Sequence, residues 1–207
     1  MTTDAPHDAA QNRHLTNILE AALLAAAAPL SLSQLESLFD GDAQRPGRDA
    51  IHAALHQLSS DCEGRGVALV EVASGWRLQV RAEMAPWVSR LWEERPQRYS
   101  RALLETLALI AYRQPITRGE IEDVRGVSVS SNIVKTLQER EWIRVVGHRD
   151  VPGRPAMFGT TRQFLDYFDL KGIDQLPPLS EIKDLDGVWP QLDLGEPVAQ
   201  SGEKSPD

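Results

Sequence analysis

The chain has 207 residues, of which 42% are hydrophobic, 25% charged and only 6% aromatic, and it carries a formal charge of -8. That composition excludes a fibrous, disulfide-built or largely disordered protein and suits two domains of about 80 residues each. The single cysteine, Cys62, cannot make an internal disulfide or a cysteine-based zinc site, so it reads as a small apolar filler in a reducing compartment.

Residues 1–14 are polar and lack periodicity, which predicts a flexible leader. Arg13 ahead of an alanine-rich stretch imitates a signal peptide, but Asp4, Asp8 and Glu20 break that pattern. The longest apolar run, Ala21–Leu30, is well short of the roughly 20 residues that span a bilayer, so no membrane segment is expected. A first helix begins at Leu15, with Leu15, Ile18, Leu19, Ala22, Leu23 and Ala26 on one face. Pro29 stops it. Ser31 with Gln34 then forms a capping box, and Leu30 with Leu35 a hydrophobic staple, at the start of a second helix. A third helix carries Ile51, Leu55 and Leu58. Two strands, Val67–Ala73 and Trp76–Ala82, flank a Ser74–Gly75 turn, and a closing helix, Met84–Glu94, presents Trp87, Val88 and Leu91.

The same order then returns. At a constant offset of 86, Pro115, Ile116, Thr117, Glu120 and Ile121 repeat Pro29, Leu30, Ser31, Gln34 and Leu35, so both the capping box and the staple are duplicated. A helix over Ser100–Arg113 precedes this corner, apolar around most of its circumference. A third helix follows, with Ile133, Val134 and Leu137 inward and Ser131, Lys135 and Gln138 outward. The second hairpin runs from Trp142–Arg149 through Pro152–Gly153 to Ala156–Thr160, and a closing helix, Arg162–Leu170, starts from a Thr160–Gln163 box. These elements predict an α+β, mainly helical fold of two tandem winged helix-turn-helix domains at 15–94 and 99–176, joined by a charged linker at 95–98 and followed by an acidic flexible tail at 177–207.

The second half resembles the C-terminal domain of segregation and condensation protein B, a bacterial chromosome-organising family. The resemblance lies in Ala102–Arg118, Ile121–Val127 and Gly153–Thr161, and the first half resembles that family's N-terminal domain more weakly, at Glu20–Leu23, Pro29–Ser31 and Gly75–Leu78. Where the family usually has glycine before the first strand of the second wing, this chain has Glu141–Trp142. The resemblance implies a non-catalytic, cytoplasmic and nucleoid-associated subunit that forms a homodimer mainly through its N-terminal domains. Its C-terminal domains would bind the kleisin, segregation and condensation protein A, which bridges the ATPase heads of a structural maintenance of chromosomes dimer. Any ATP then belongs to the partner, as no phosphate loop is present in the sequence.

The residues alone leave a choice between this adaptor and a dimeric winged-helix transcription regulator. By segment the net charge is -1 (1–14), -5 (15–94), +4 (95–168) and -6 (169–207), so only the second domain is basic. Its third helix offers one lysine, Lys135, beside Glu139 and Glu141, a poor phosphate anchor; Arg149 and Arg154 on the wing leave weak direct DNA contact as the alternative. The candidate kleisin surface is Tyr112, Arg113, Gln114, Pro115, Arg118 and Arg125 with Gly153, Arg154, Pro155 and Phe158; Arg113, Arg118, Arg125 and Arg154 read equally as solvated surface or as loop ties. The candidate dimer surface is Trp76, Trp87 and Trp92. His52 and His56 lack a third ligand, and Cys62 lacks a base, so no metal, cofactor or catalytic residue is expected. The tail's Trp189, Leu192 and Leu194 fit a solvated segment first and a short docking segment second.

Overall fold

The computed structural model describes residues 5–91 and 99–178. The linker at 95–98, Trp92 and nearly all of the acidic tail lie outside the described residues.

The first apolar core gathers three helices and a hairpin. α1 (Ala5–Ala25) contributes Leu19 and Leu23, and its helical backbone runs through residues 5–14, the stretch read as a leader. α2 (Leu32–Ser37) opens on the expected box: Ser31 Oγ accepts from the Gln34 amide at 3.3 Å, and Gln34 Oε1 accepts from the Ser31 amide at 2.9 Å. α3 (Arg48–Asp61) buries Ile51, Leu55 and Leu58 against Leu35, Phe39, Leu69 and Cys62, while Leu30 packs at the edge. Cys62 thus sits as an apolar filler.

β1 (Val67–Val72) and β2 (Gly75–Val80) pair antiparallel with Val72 opposite Gly75, so the turn is Ala73–Ser74, one residue earlier than the expected Ser74–Gly75. A tertiary neighbour sets the difference. Leu30 and Trp76 exchange two backbone hydrogen bonds, both 2.9 Å, and Gly75 lies in β2 at φ +140° to admit that third strand-like segment. Beyond β2, a 3-10 turn at Ala82–Met84, α4 (Ala85–Val88) and a second 3-10 turn at Ser89–Leu91 replace the single helix expected over Met84–Glu94. With Trp87 62% and Leu91 77% exposed, the described residues of this segment offer no buried face to hold a continuous helix.

The second half repeats the plan. α5 (Arg101–Arg113), capped by Ser100, buries Leu103, Leu107, Ile110 and Ala111. β3 (Ile116–Thr117) leads into α6 (Arg118–Arg125), and α7 (Ser131–Glu139) follows, with α5 packing on both helices. Leu137 is fully buried and Ile133 and Val134 half-buried, leaving Ser131, Lys135 and Gln138 exposed as their spacing predicts. β4 (Ile143–His148) and β5 (Ala156–Thr160) complete a sheet of order β3-β5-β4. Ile116 pairs with Phe158. Leu30 pairs with Trp76 in the same way, so in each half the residue before the helix cap bridges to the second hairpin strand. The duplication extends from caps to sheet.

α8 (Arg162–Tyr167) starts one residue later than expected. Thr160 stays in β5 and Thr161 is the cap, accepting from the Phe164 amide at 3.1 Å, so the Thr160–Gln163 box does not form. By contact the described chain falls into two compact units, and Glu141–Arg144 and Thr160–Leu176 group with the first half, although the sequence reading places them in the second domain. The reason is a set of ties to the first hairpin. The buried Asp166 Oδ1 accepts from the Ser74 amide at 2.9 Å, Leu170 O accepts from the Ala73 amide at 2.9 Å, Asp169 accepts from Gln79 at 3.1 Å and pairs with Arg77, and Lys171 pairs with Glu71.

Glu141, where the family usually has glycine, adopts φ +56°. A side chain in this left-handed region is disfavoured by about 1 kcal/mol. Glu141→Gly is therefore expected to raise stability by about 0.5 kcal/mol, because relief of that strain exceeds the added freedom of the unfolded chain. Urea denaturation of the two proteins measures the difference, and a loss of stability would contradict it.

Candidate functional site

The corner between α5 and α6 is built by local rules. Gln114 ends α5, its amide donating to Ile110 O at 2.9 Å, and Pro115, with no N–H to donate, prevents continuation; the Gln114–Pro115 bond is cis. Ile116 and Thr117 pair with Phe158 and Met157, so the two stretches singled out in the sequence, Tyr112–Arg118 and Gly153–Phe158, adjoin where β3 meets β5. Thr117 closes the second capping box: its hydroxyl accepts from the Glu120 amide at 3.3 Å, and Glu120 Oε2 accepts from the Thr117 amide at 2.7 Å.

Here the second copy departs from the first. Where the first box uses neutral Gln34, the second uses Glu120, whose Oε1 accepts from Arg149 Nη2 on the wing at 2.6 Å. The Arg149 hydrogen bond first, and the Thr117 amide second, hold the Glu120 carboxyl down to about 2 from an ordinary 4.5. The depressed value fixes the sign: the ionised form favours folding, so its contribution is complete above about pH 4.5 and is lost as pH falls toward 2. Because the Glu120 side chain is 43% exposed, solvent screening limits this contribution to about 1 kcal/mol. Glu120→Gln should therefore destabilise the protein by that amount at pH 7 and leave it unchanged near pH 2, as read by urea midpoints at both values.

Two more arginine ties brace this half. Arg118 donates to Glu122 Oε1 at 3.1 Å, to Ser131 Oγ at 3.1 Å and to the Val129 carbonyl, which fixes the loop between α6 and α7. Glu122 also accepts from the Val129 amide; that bond first, and Arg118 next, lower its carboxyl. Arg125, with only 11% of its side chain exposed, donates to Glu105 at 3.0 Å. Burial raises the Glu105 carboxyl, but Arg101 and Arg125 together outweigh it and leave the value lowered.

The candidate residues therefore divide. Arg118 and Arg125 are engaged inside the fold, and Phe158 is buried. Arg113, Pro115, Gly153, Arg154 and Pro155 are exposed. Tyr112 and Gln114 are half-buried, with the Tyr112 hydroxyl donating to the Pro177 carbonyl and Gln114 Nε2 donating to Ala111 O at 3.3 Å. Val146, 45% exposed, was missed by the sequence reading. It lies over Gly159, where a β-carbon would stand 3.0 Å from both Val146 Cγ1 and Gln114 Oε1. The available signal was the isolated glycine in β5, which marks close approach to a strand backbone.

Of the aromatic residues in the first half, Trp76 packs at the edge of the core and Trp87 stands exposed. On α7, Lys135 pairs with Glu139 at 3.6 Å. Among the described residues no three His, Cys, Asp or Glu side chains group as metal ligands, and no helix is long and apolar enough to cross a membrane.

Comparison with known proteins follows this geometry. The family model for segregation and condensation complex subunit ScpB matches residues 17–179. Segregation and condensation protein B homolog of Coxiella burnetii is 57% identical over 188 residues, covering 90% of this chain and 88% of the relative. The crystal structure of ScpB from Mycobacterium tuberculosis is 34% identical, covers 77% of this chain and 97% of its own, and superposes with a TM-score of 0.36. A crystal structure of a dimer of ScpB N-terminal domain complexed with ScpA peptide is 31% identical, covers 39% of this chain and 96% of its own, and has a TM-score of 0.34.

Proposed function

The chain belongs to the family of segregation and condensation complex subunit ScpB, and on that premise we propose that it is a non-catalytic adaptor of a bacterial condensin-like complex. Its two halves act as winged-helix modules. The first joins two copies of the chain, and the second holds the kleisin, segregation and condensation protein A, through which the structural maintenance of chromosomes ATPase is reached. The assembly works in the cytoplasm, on the nucleoid, and promotes chromosome condensation and segregation before cell division. The observation that carries this reading is the family match across 17–179 together with 57% identity to a relative over nearly the whole chain.

The surface chemistry agrees with an adaptor more than with a DNA reader. A helix that reads DNA needs cations and hydrogen-bonding side chains aimed at phosphates and base edges. α7 offers Lys135, already paired with Glu139, and Arg149 on the wing is drawn to Glu120. The exposed Arg113 and Pro115 lie instead at the repeated corner, and Arg154 and Pro155 between β4 and β5, a mixed apolar and cationic set suited to a polypeptide.

Mixing the purified chain with its kleisin on a sizing column tests the proposal. Co-elution as a complex containing two copies of this chain, in the absence of DNA, is the expected result. Sequence-specific duplex binding by the chain without any affinity for the kleisin would replace the adaptor with a transcription regulator.

A further inference from the structure

The ties between residues 166–171 and the first hairpin differ in kind from what holds the rest of that half together. The first apolar core is drawn from residues 15–78, and among the described residues none of 141–176 enters it. Phe164, Tyr167 and Phe168 pack instead with one another and with Trp142. Both groups fall in one compact unit, yet the described ties across the seam are polar. The Ala73 amide donates to Leu170 O and the Ser74 amide to Asp166 Oδ1, both at 2.9 Å; Gln79 donates to Asp169 at 3.1 Å, Arg77 pairs with Asp169, and Lys171 pairs with Glu71. Of the hairpin's buried apolar side chains only Val72 stands outside the first core. Both ion pairs are open to water, with the Arg77 and Asp169 side chains 29% and 47% exposed and those of Lys171 and Glu71 54% and 34%. A charged seam between two separately packed groups is the construction of a contact that opens and closes, whereas a permanent one is apolar.

We propose that α8 with residues 168–171 is an electrostatic latch on the first hairpin. It opens as one body with Trp142, without unfolding of the first core, and ionic strength sets the balance between its closed and open states. Salt acts here because the paired groups are exposed: the screening length falls from about 10 Å at 0.1 M to about 3 Å at 1 M, and exposed pairs feel that change most. The Ser74 bond to the buried Asp166 and the Ala73 bond to Leu170 then hold the seam without the ion pairs. Opening bares both amides at the hairpin tip while the Leu30 bridge on the far side of β2 keeps the hairpin on its core. Local opening of this kind needs far less free energy than unfolding of the whole half.

Amide exchange along this one hairpin, in the full chain, tests the latch. Ala73 and Ser74 report the latch itself, and the Trp76 amide, held by Leu30 O at 2.9 Å, reports the hairpin through a neutral bond. Between about 0.05 and about 1 M sodium chloride, Ala73 and Ser74 are expected to exchange about tenfold faster, while Trp76 changes by less than about twofold. Asp169→Asn with Lys171→Gln removes both ion pairs at exposed positions, and asparagine tolerates the φ of +57° at position 169, so the fold is retained. In that variant Ala73 and Ser74 should exchange fast already at low salt and respond no further. A Ser74 rate that ignores salt, or that moves in step with Trp76, overturns the latch, since the seam then opens only when the whole half unfolds. A variant that keeps the salt response of the unaltered chain overturns it equally, because these ion pairs would not be what closes the seam.

Discussion

Gly75→Ala is expected to destabilise the first half by at least about 3 kcal/mol, a large fraction of the stability of a small domain. An alanine β-carbon at this position would lie 2.1 Å from Leu30 O, 2.4 Å from Leu30 C and 2.6 Å from Ser31 N. All three are backbone atoms, so no rotamer change relieves the overlap. Moving Leu30 breaks its two hydrogen bonds to Trp76, and moving Ser31 disturbs the cap of α2, whose Leu35 is fully buried in the core. The conformation itself, at φ +140°, is also one that side chains rarely adopt. Gly64→Ala serves as the control: Gly64 has φ +72° but open space around it, so its cost should be limited to about 1 kcal/mol. Urea unfolding followed by far-UV circular dichroism compares the two. Equal losses would mean that Leu30 does not approach β2 as described.

Gly75 also marks the boundary of what the sequence discloses. Both capping boxes were legible because every participant lies within four residues of the cap, and side-chain chemistry alone specifies the geometry. The hairpin turn was misplaced because turn rules assign glycine to the turn, whereas here its role is to admit a segment 45 residues upstream. The cap of α8 was misplaced for a similar reason. Thr160 and Thr161 are equivalent candidates in sequence, and tertiary bonds select the second: Thr160 is held in β5, and the Thr161 amide donates to Trp142 O at 3.1 Å. The closing segment of the first half reads as a helix by its apolar spacing, but spacing does not reveal that Trp87 and Leu91 stand exposed among the described residues.

The candidate surface shows the same division. The two stretches do meet at one point, where Ile116 and Thr117 pair with Phe158 and Met157. Which arginines remain available was not legible. Arg118 and Arg125 differ from Arg113 only in whether a glutamate or carbonyl from another element lies within reach. The charged capping box illustrates why such roles escape a single-sequence reading. Glu120 satisfies the same local motif as Gln34, and its second function depends on Arg149, 29 residues away.

Trp142→Ala is expected to cost about 3–5 kcal/mol, the range for removing a buried tryptophan. The side chain is 1% exposed, and its ring lies 4.6 Å from that of Tyr167 and 5.5 Å from that of Phe168, with Phe164 a further 4.9 Å from Phe168. This aromatic stack seats α8, and α8 in turn carries Asp166 to the Ser74 amide. Removal of the ring should therefore be felt at the first hairpin as well as at the cavity it leaves. Amide exchange at Ser74 is expected to accelerate in Trp142→Ala, and also in Asp166→Ala, where the carboxylate acceptor itself is gone. The double variant should lose less stability than the two single losses combined, by at least about 0.5 kcal/mol, because both act through one seated helix. Trp142→Phe, which retains an aromatic face, should lose less than Trp142→Ala and keep the Ser74 amide protected. Strict additivity, or a Ser74 amide indifferent to Trp142, would mean that α8 is held by the hairpin ties alone and that the aromatic stack only fills space.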